Sequence, residues 1–419
     1  MDITAQMIAL AKAAKTAART LAASDGLTRN RVIENVARLL QAETPVIRAA
    51  NDKDLAAARA AGLDAARLDR LTLSDKAMTD MIQACREVAA QSDPVGEIES
   101  MTKRPNGLLV GRMRVPLGVL CMIYESRPNV TIDASILCLK AGNAVILRGG
   151  SEAFHSNQAL AAVLQKALAE AGLPAAAAQV LPTTDRAAVS ALLKLDEYID
   201  VVIPRGGEGL IRAVVSEATM PVLKHYKGVC HAYVDQWADL DQALSLVFNA
   251  KCHRPGVCNA AECLLVHEKV ASDFLPRVAE RLGGAGVELR ACPRSLPLLG
   301  AKAVPAKDSD WGHEFHELIM AVKTVDSLDE ALAHIAAYGS NHTEFICTTD
   351  HPAAMRFLRE VDASLVLINA SSRFNDGGEL GLGAEIGIST SKLHAYGPMG
   401  VRELTGTKLI AFGDGQVRS

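Results

Sequence analysis

Between Leu120 and about Ala250, short apolar runs alternate with longer stretches of helical periodicity, and this alternation restricts the fold of the 419-residue chain more than any other feature. Gly118–Tyr124 is apolar throughout, as a strand buried on both faces must be. Helix Thr131–Lys140, strand Ala144–Leu147, helix Phe154–Ala171, strand Ala178–Leu181, helix Arg186–Leu193 and strand Ile199–Ile203 follow. Strands alternating with helices of about 10–15 residues are joined by crossovers, which builds a parallel sheet covered by helices. A second α/β pattern runs from about Cys252 to Asn369.

The flanks differ. Thr4–Gln91 reads as helical, with Val32, Val36, Leu39 and Leu40 at three- and four-residue spacing. Thr28 and Ser74 are expected N-caps, and Pro45, Gly62 and Pro94 punctuate the run. At Arg104 the character changes. Asn106-Gly107 is a hairpin signal leading into Leu108–Val110, with a second strand expected at Arg112–Val115. Thr407–Phe412 reads as one more strand. Residues 104–120 and 398–419 are thus expected to form a small β element. Open strand edges are a liability that a second subunit can cover, so a homo-oligomer is expected.

Charge removes several function classes. Lysine and arginine total 44 against 48 acidic residues, a formal charge of −4 with no basic block. Nucleic acid is therefore not an expected partner. No run reaches the roughly 20 apolar residues of a bilayer helix; Ile136–Gly150, for example, is broken by Lys140 and Arg148. The start, Met1-Asp2, lacks the positive n-region of a signal peptide. The nine cysteines are odd in number and irregularly spaced, which fits free thiols in a reducing cytoplasm.

Two strands end in an arginine and paired glycines: Arg148-Gly149-Gly150-Ser151 and Pro204-Arg205-Gly206-Gly207. Glycines beyond the carboxyl end of a parallel strand admit a pyrophosphate to the backbone, and a guanidinium forks onto phosphate. Neither loop is G-x-G-x-x-G, and both also read as ordinary strand-to-helix turns. Arg148 with Ser151 is the better candidate for a 2′-phosphate, which would favour NADP(H).

Among the cysteines, Cys258 stands apart, in Arg254-Pro255-Gly256-Val257-Cys258-Asn259. Pro-Gly sets a turn, and a cysteine presented there to a helix start is activated, because helix N-termini and nearby cations lower a thiol pKa from about 8.5. Lys251, His253 and Arg254 supply positive charge nearby in sequence. The residues alone read more readily as a buried structural cysteine, as most are. The set Cys252, His253, Cys258 and Cys263 lacks the paired C-x-x-C spacing of structural zinc, so no metal is expected.

The run Arg254–Glu262 resembles the catalytic-cysteine segment of the gamma-glutamyl phosphate reductase family, within the aldehyde dehydrogenase superfamily. The blocks Val119–Thr131, Leu139–Gly150, Tyr338–Glu344, Asn369–Ile388 and Thr390–Gly400 are similar too, in family order across almost the whole chain. The resemblance implies an α/β, aldehyde-dehydrogenase-like fold: a Rossmann-like NADP(H) domain over 1–103 and 121–250, a catalytic cysteine domain over 251–397, and the β oligomerisation element. It implies NADPH-dependent reduction of gamma-glutamyl phosphate to glutamate 5-semialdehyde with release of phosphate, the second step of proline biosynthesis. Transient contact with glutamate 5-kinase would be physically sensible.

It also assigns roles. Cys258 would form a thioester, and Asn129 would stabilise the oxyanion. Arg148, Gly149, Gly150, Ser151, Pro204, Arg205, Gly206, Gly207 and Glu314 would bind cofactor, with Glu314 on the nicotinamide ribose. Arg373 would pair with the substrate α-carboxylate. Hydrolytic members of the superfamily carry a glutamate base shortly before the cysteine, but Met220–Val234 contains no carboxylate. That favours phosphate exchange over hydrolysis, although Lys224 and His225 could still supply a base. A hydrolytic or coenzyme A-acylating dehydrogenase of the same fold, or a non-catalytic NADP(H)-binding protein, remain the alternatives.

Overall fold

In the computed structural model, residues 2–125, 127–382 and 384–418 are described, and of Ala66 and Lys302 the backbone only. Ser126 and Gly383, which fall inside two of the resembling blocks, lie outside the described residues. The chain divides into two compact units, Met1–Lys224 with Gly381–Gly387 and Met399–Ser419, and His225–Leu380 with Ile388–Pro398.

The first unit opens with five helices, α1 (Ile3–Ala23), α2 (Gly26–Ala42), α3 (Thr44–Ala60), α4 (Ala65–Leu71) and α5 (Asp75–Ala90). Ser74 caps α5, its hydroxyl accepting from Ala77 N–H at 3.2 Å. Thr28 is not a cap. Asp25 is, and its carboxylate accepts from Thr28 N–H at 2.7 Å because the helix begins at Gly26, before the apolar periodicity shows.

Two strands follow, β1 (Ile98–Lys103) and β2 (Leu109–Pro116). The hairpin turn lies at Asn106-Gly107 as expected, with Gly107 at φ 91° and its N–H on the Arg104 carbonyl at 2.9 Å. The two expected strands after the turn are one continuous strand, β2, and the first arm is β1, which carries no sequence signal because it is exposed along nearly its whole length. The strand Thr405–Phe412 pairs antiparallel with β2 over eight residues, so β2 is the centre of a three-stranded sheet.

The alternating region then appears as β3 (Val119–Tyr124), α6 (Val130–Lys140), β4 (Ala144–Arg148), α7 (Phe154–Glu170), β5 (Ala178–Val180), α8 (Arg186–Leu192), β6 (Val201–Arg205) and α9 (Glu208–Glu217). The four strands form a parallel sheet in the order β5-β4-β3-β6. All six residues of β3 are buried. Asp54 of α3 ties the helical flank to this sheet. Its carboxylate accepts from His155 N–H at 3.1 Å and from Ser156 N–H at 2.7 Å, capping the first turn of α7.

The second unit contains β7 (Cys230–Val234), α10 (Leu240–Cys252), β8 (Ala261–His267), α11 (Glu268–Gly284), β9 (Glu288–Ala291), α12 (Leu296–Leu299), β10 (Ala303–Pro305), β11 (Ile319–Val325), α13 (Leu328–Tyr338), β12 (Thr343–Cys347), α14 (His351–Glu360) and β13 (Leu365–Ile368). Its seven-stranded sheet runs β10-β9-β11-β8-β7-β12-β13, parallel throughout. A short pair, β14 (Ile388–Ser389) and β15 (Gly397–Pro398), completes it. The division falls at Lys224/His225 and not at 250/251, because β7 is hydrogen-bonded between β8 and β12 and so belongs to the second sheet. No described helix is long and apolar enough to cross a membrane.

Within α6, burial pushes the Asp133 carboxyl up to about 6, against the pull of the Asn129 amide that donates to it at 2.9 Å. An acid raised on folding holds its proton in the native state while the unfolded chain has lost it. Stability therefore falls as pH rises from about 4 to about 6. Because the side chain keeps some contact with the surface, the expected cost is about 1–2 kcal/mol. Asp133→Asn should flatten that part of a stability–pH curve measured by urea unfolding. An unchanged slope would show that Asp133 does not titrate there.

Candidate active site

Cys258 lies in the loop between α10 and β8, half-buried. The loop is closed by Lys251, on the last turn of α10, and Glu262, on β8, whose side chains meet at 2.5 Å, both completely buried. Burial pushes Glu262 up and Lys251 down, while each charge opposes the other's shift. The second Glu262 oxygen accepts from His316 N–H at 3.3 Å. This corrects two expectations. The loop that carries the cysteine leads into strand β8 and not into a helix, and the Lys251 charge is taken by Glu262.

Four further contacts fix the loop. The Cys230 thiol, which burial keeps protonated, donates to the Cys258 carbonyl at 3.2 Å. The Asn259 amide donates to the Asn375 carbonyl at 3.0 Å, and Ser372 Oγ donates to the Asn259 carbonyl at 2.6 Å. Gly228 backs the cysteine so closely that a Cβ there would lie 1.9 Å from the Cys258 carbonyl oxygen and 2.6 Å from its Cα. Gly228 N–H in turn donates to Glu314 Oε1 at 2.9 Å.

The backbone is thereby held while two imidazoles face the thiol. Ring nitrogens of His225 and His342 and the Cys258 sulfur lie within 4.8 Å of one another. His225 Nδ1 donates to the Ile388 carbonyl at 2.8 Å, which leaves the ring's lone pair on Nε2. His342 is fully buried, and burial together with the neighbouring His225 pushes it down to about 3, so it is neutral at physiological pH. Asn341 precedes it in the left-handed region, φ 58°, a conformation asparagine tolerates, and this turns His342 into the start of β12.

Arg373 comes to the same place. Its Nε donates to His253 Nδ1 at 3.3 Å, and burial and the Arg254 charge lower its pKa while Asp376 and Cys258 oppose this. Glu314 is 12% exposed and engaged on both oxygens, by Gly228 and by His316 Nε2 at 3.3 Å, so it shapes the wall behind the cysteine. The sequence set Cys252, His253, Cys258 and Cys263 does not converge: Cys258 groups with His225 and His342, and Cys263 with His231 and His334.

In the first unit, Arg148 ends β4 with its Nε buried and without a hydrogen-bond partner, and Nη2 only 3.3 Å from the Thr184 carbonyl. An unpaired buried guanidinium nitrogen fits an anionic ligand. The Glu152 and Glu125 carboxylates act on the same guanidinium. Gly149 is needed for close packing, since a Cβ would meet Asn157 at 2.1 Å and Tyr124 at 3.1 Å. Ser151 is exposed at the start of the next turn. Gly206 and Gly207 lead into α9, and Gly207 N–H donates to Glu125 Oε2 at 3.2 Å, so this loop binds a carboxylate as an anion. Pro204 is buried in edge strand β6, and Arg205 turns to the Ile386 carbonyl at 3.3 Å. Asn129 gives one amide hydrogen to Asp133, which orients the group and leaves the second hydrogen to donate.

Sequence reasoning raised His225 only as half of a lysine–histidine pair and gave no role to Gly228, Cys230 or His342. The block Tyr338–Glu344 marks His342's neighbourhood, but no spacing joins residues 225, 258 and 342, which meet only through the order of β7, β8 and β12.

Two substitutions test this geometry. Lys251→Met should destabilise the protein by about 3–5 kcal/mol in urea unfolding, because Glu262 is left buried and alone, and adding Glu262→Met should restore most of it. A single change that costs nothing would remove the ion pair from the account. Gly228→Ala should lower kcat/KM about a hundredfold with the far-UV spectrum unchanged, since the cysteine backbone must move by about 1 Å. Normal turnover would show that the close approach is not needed.

Residues 3–288 match the aldehyde dehydrogenase family. A gamma-glutamyl phosphate reductase of Nitratidesulfovibrio vulgaris is 65% identical over 418 residues, covering 100% of both chains. One of Solidesulfovibrio magneticus is 66% identical over 418 residues, again covering 100% of both. The crystal structure of gamma-glutamyl phosphate reductase from Thermotoga maritima is 44% identical, with a TM-score of 0.96 over 99% of this chain and 100% of that one. An acetylating aldehyde dehydrogenase from Geobacillus thermoglucosidasius shares the fold at 17% identity, with a TM-score of 0.71 over 100% of this chain and 98% of that one. The chain therefore belongs to the aldehyde dehydrogenase family, in its gamma-glutamyl phosphate reductase branch.

Proposed function

We infer that the protein reduces gamma-glutamyl phosphate to glutamate 5-semialdehyde and releases phosphate, the second step of proline biosynthesis. The observation that carries this reading is the full-length identity of 65–66% with curated relatives bearing the reductase name. The geometry around Cys258 supports the chemistry. His225, with its lone pair on Nε2, takes the thiol proton, and neutral His342 shields the sulfur from water. The Cys258 sulfur attacks the acyl carbon, a C–S bond forms, the C–O bond to phosphorus breaks and phosphate leaves. By the family resemblance, the Asn129 side-chain amide and the Cys258 N–H are the proposed donors to the oxyanion, one such donor being worth about 2.7–4 kcal/mol. The nicotinamide cofactor, when bound, supplies a hydride to the thioester carbon. Cleavage of the C–S bond then returns the thiolate.

Arg148, with its unpaired Nε, and the loops Gly149–Ser151 and Pro204–Gly207 are the proposed cofactor contacts, and Arg148 is the group that would favour NADPH. Glu314 is a candidate for the ribose only if a ligand displaces its present partners. Arg373, next to the cysteine, is the proposed partner of the substrate α-carboxylate. A homo-oligomer is supported by the apolar side chains Leu409 and Phe412, 68% and 59% exposed on the three-stranded sheet. Nine free cysteines suit a reducing cytoplasm. Shelter of the acyl phosphate by transient contact with glutamate 5-kinase belongs to the same proposal.

The reverse reaction tests it. Glutamate 5-semialdehyde and NADP⁺ should give NADPH only when inorganic phosphate is present, and Cys258→Ala should abolish this. Equal turnover without phosphate would point to a hydrolytic dehydrogenase, and stimulation by coenzyme A in place of phosphate to an acylating one.

A further inference from the structure

The groups that face the Cys258 sulfur are also a donor set for a divalent cation. One thiol and two imidazoles, from His225, Cys258 and His342, place ligand atoms within 4.8 Å of one another. A tetrahedral ion with bonds of about 2.0–2.1 Å to nitrogen and 2.3 Å to sulfur draws its donors to about 3.3–3.6 Å apart. From that limit, closing the gap takes at most about 1.2–1.5 Å, shared between the half-buried thiol and the half-buried His225 ring.

The imidazoles are oriented as metal-binding histidines are. In each, Nδ1 is tied to an outer oxygen: the Ile388 carbonyl at 2.8 Å for His225, and Thr343 Oγ1 at 2.7 Å for His342. His342 Nε2 is completely buried and has no hydrogen-bond partner among the described residues, an unsatisfied interior nitrogen that costs stability until something occupies it. His225 and Cys258 keep some exposure, so an ion has a way in and a fourth position for water or phosphate. The other cluster of this kind among the described residues, His231, Cys263 and His334, is buried at all three members, and His231 Nδ1 is already held by the Glu344 carboxylate at 3.0 Å.

We propose that His225, Cys258 and His342 form an inhibitory site for a borderline divalent cation of the zinc class. Binding replaces the thiol proton, which is released to solvent, with the ion, and it withdraws the sulfur from attack. The inhibitory consequence rests on the reading of Cys258 as the nucleophile, whereas the binding itself does not.

The test is titration of the full-length, metal-free protein with Co²⁺, followed by the thiolate-to-cobalt absorption band. The phosphate-dependent reverse reaction is measured on the same samples with Zn²⁺ and then chelator. One equivalent of Co²⁺ should produce the band, Zn²⁺ should bleach it and stop turnover, and chelator should restore turnover. Cys258→Ser should show no band, Cys263→Ser should keep it, and His342→Asn should weaken Co²⁺ binding more than about tenfold. A band lost in Cys263→Ser but kept in Cys258→Ser would overturn the proposal by placing the ion in the buried cluster. Folded wild-type protein with no band at one equivalent would overturn it outright. Cobalt bound through Cys258 in a protein without phosphate-dependent turnover would uphold the site and remove the reductase reading instead.

Discussion

The buried contact between Lys251 and Glu262 sets where Cys258 can be. It joins the end of a helix to the start of a strand and closes the loop that carries Cys258 between them. An ion pair without solvent is tolerated only when its geometry is good and its remaining hydrogen-bonding capacity is used. Here the second Glu262 oxygen accepts from the His316 amide. The pair draws a lysine, in sequence an obvious activator of the thiol, away from the sulfur. What remains around the cysteine is set by hydrogen bonds and by shape, with the imidazoles of His225 and His342 beside the sulfur.

That division of labour runs through the site. Cys230 and Gly228 hold the carbonyl and the back of Cys258, and Asn259 and Ser372 hold the next residue, so the backbone is positioned without using the sulfur. The sulfur is left to His225, whose tautomer is fixed by the Ile388 carbonyl. A carboxylate is present as well, but Glu314 is committed to the Gly228 amide and to His316, which fits the proposed reading in which a thioester is kept from hydrolysis.

Much of the fold was legible because burial leaves a pattern. The apolar run of β3 and the alternation that follows predicted a parallel sheet, and it formed with its elements close to their expected limits. Strand β1 was illegible because an exposed edge strand has no apolar face to show. The domain boundary was placed 26 residues late, 250 against 224, because β7 resembles any other buried strand and only its pairing with β8 and β12 assigns it to the second sheet. Cys258 could be singled out from its Pro-Gly turn and the resemblance of its surroundings, but the reason first given for its reactivity, a helix start, was not what the chain built. His225 and His342 had no shared sequence signal at all. Residues 225, 258 and 342 converge through sheet topology, which periodicity does not encode.

The central claim is that Cys258 carries the acyl group between loss of phosphate and hydride transfer. Its most direct test is a single turnover in the oxidative direction without phosphate: excess glutamate 5-semialdehyde and NADP⁺, rapid quenching, and mass analysis of the Cys258 peptide. The account predicts a burst of about one NADPH per active site, a glutamyl acyl group on Cys258, and its discharge when phosphate is added. An acyl group on any other residue, or steady NADPH production with Cys258 unmodified, would contradict it.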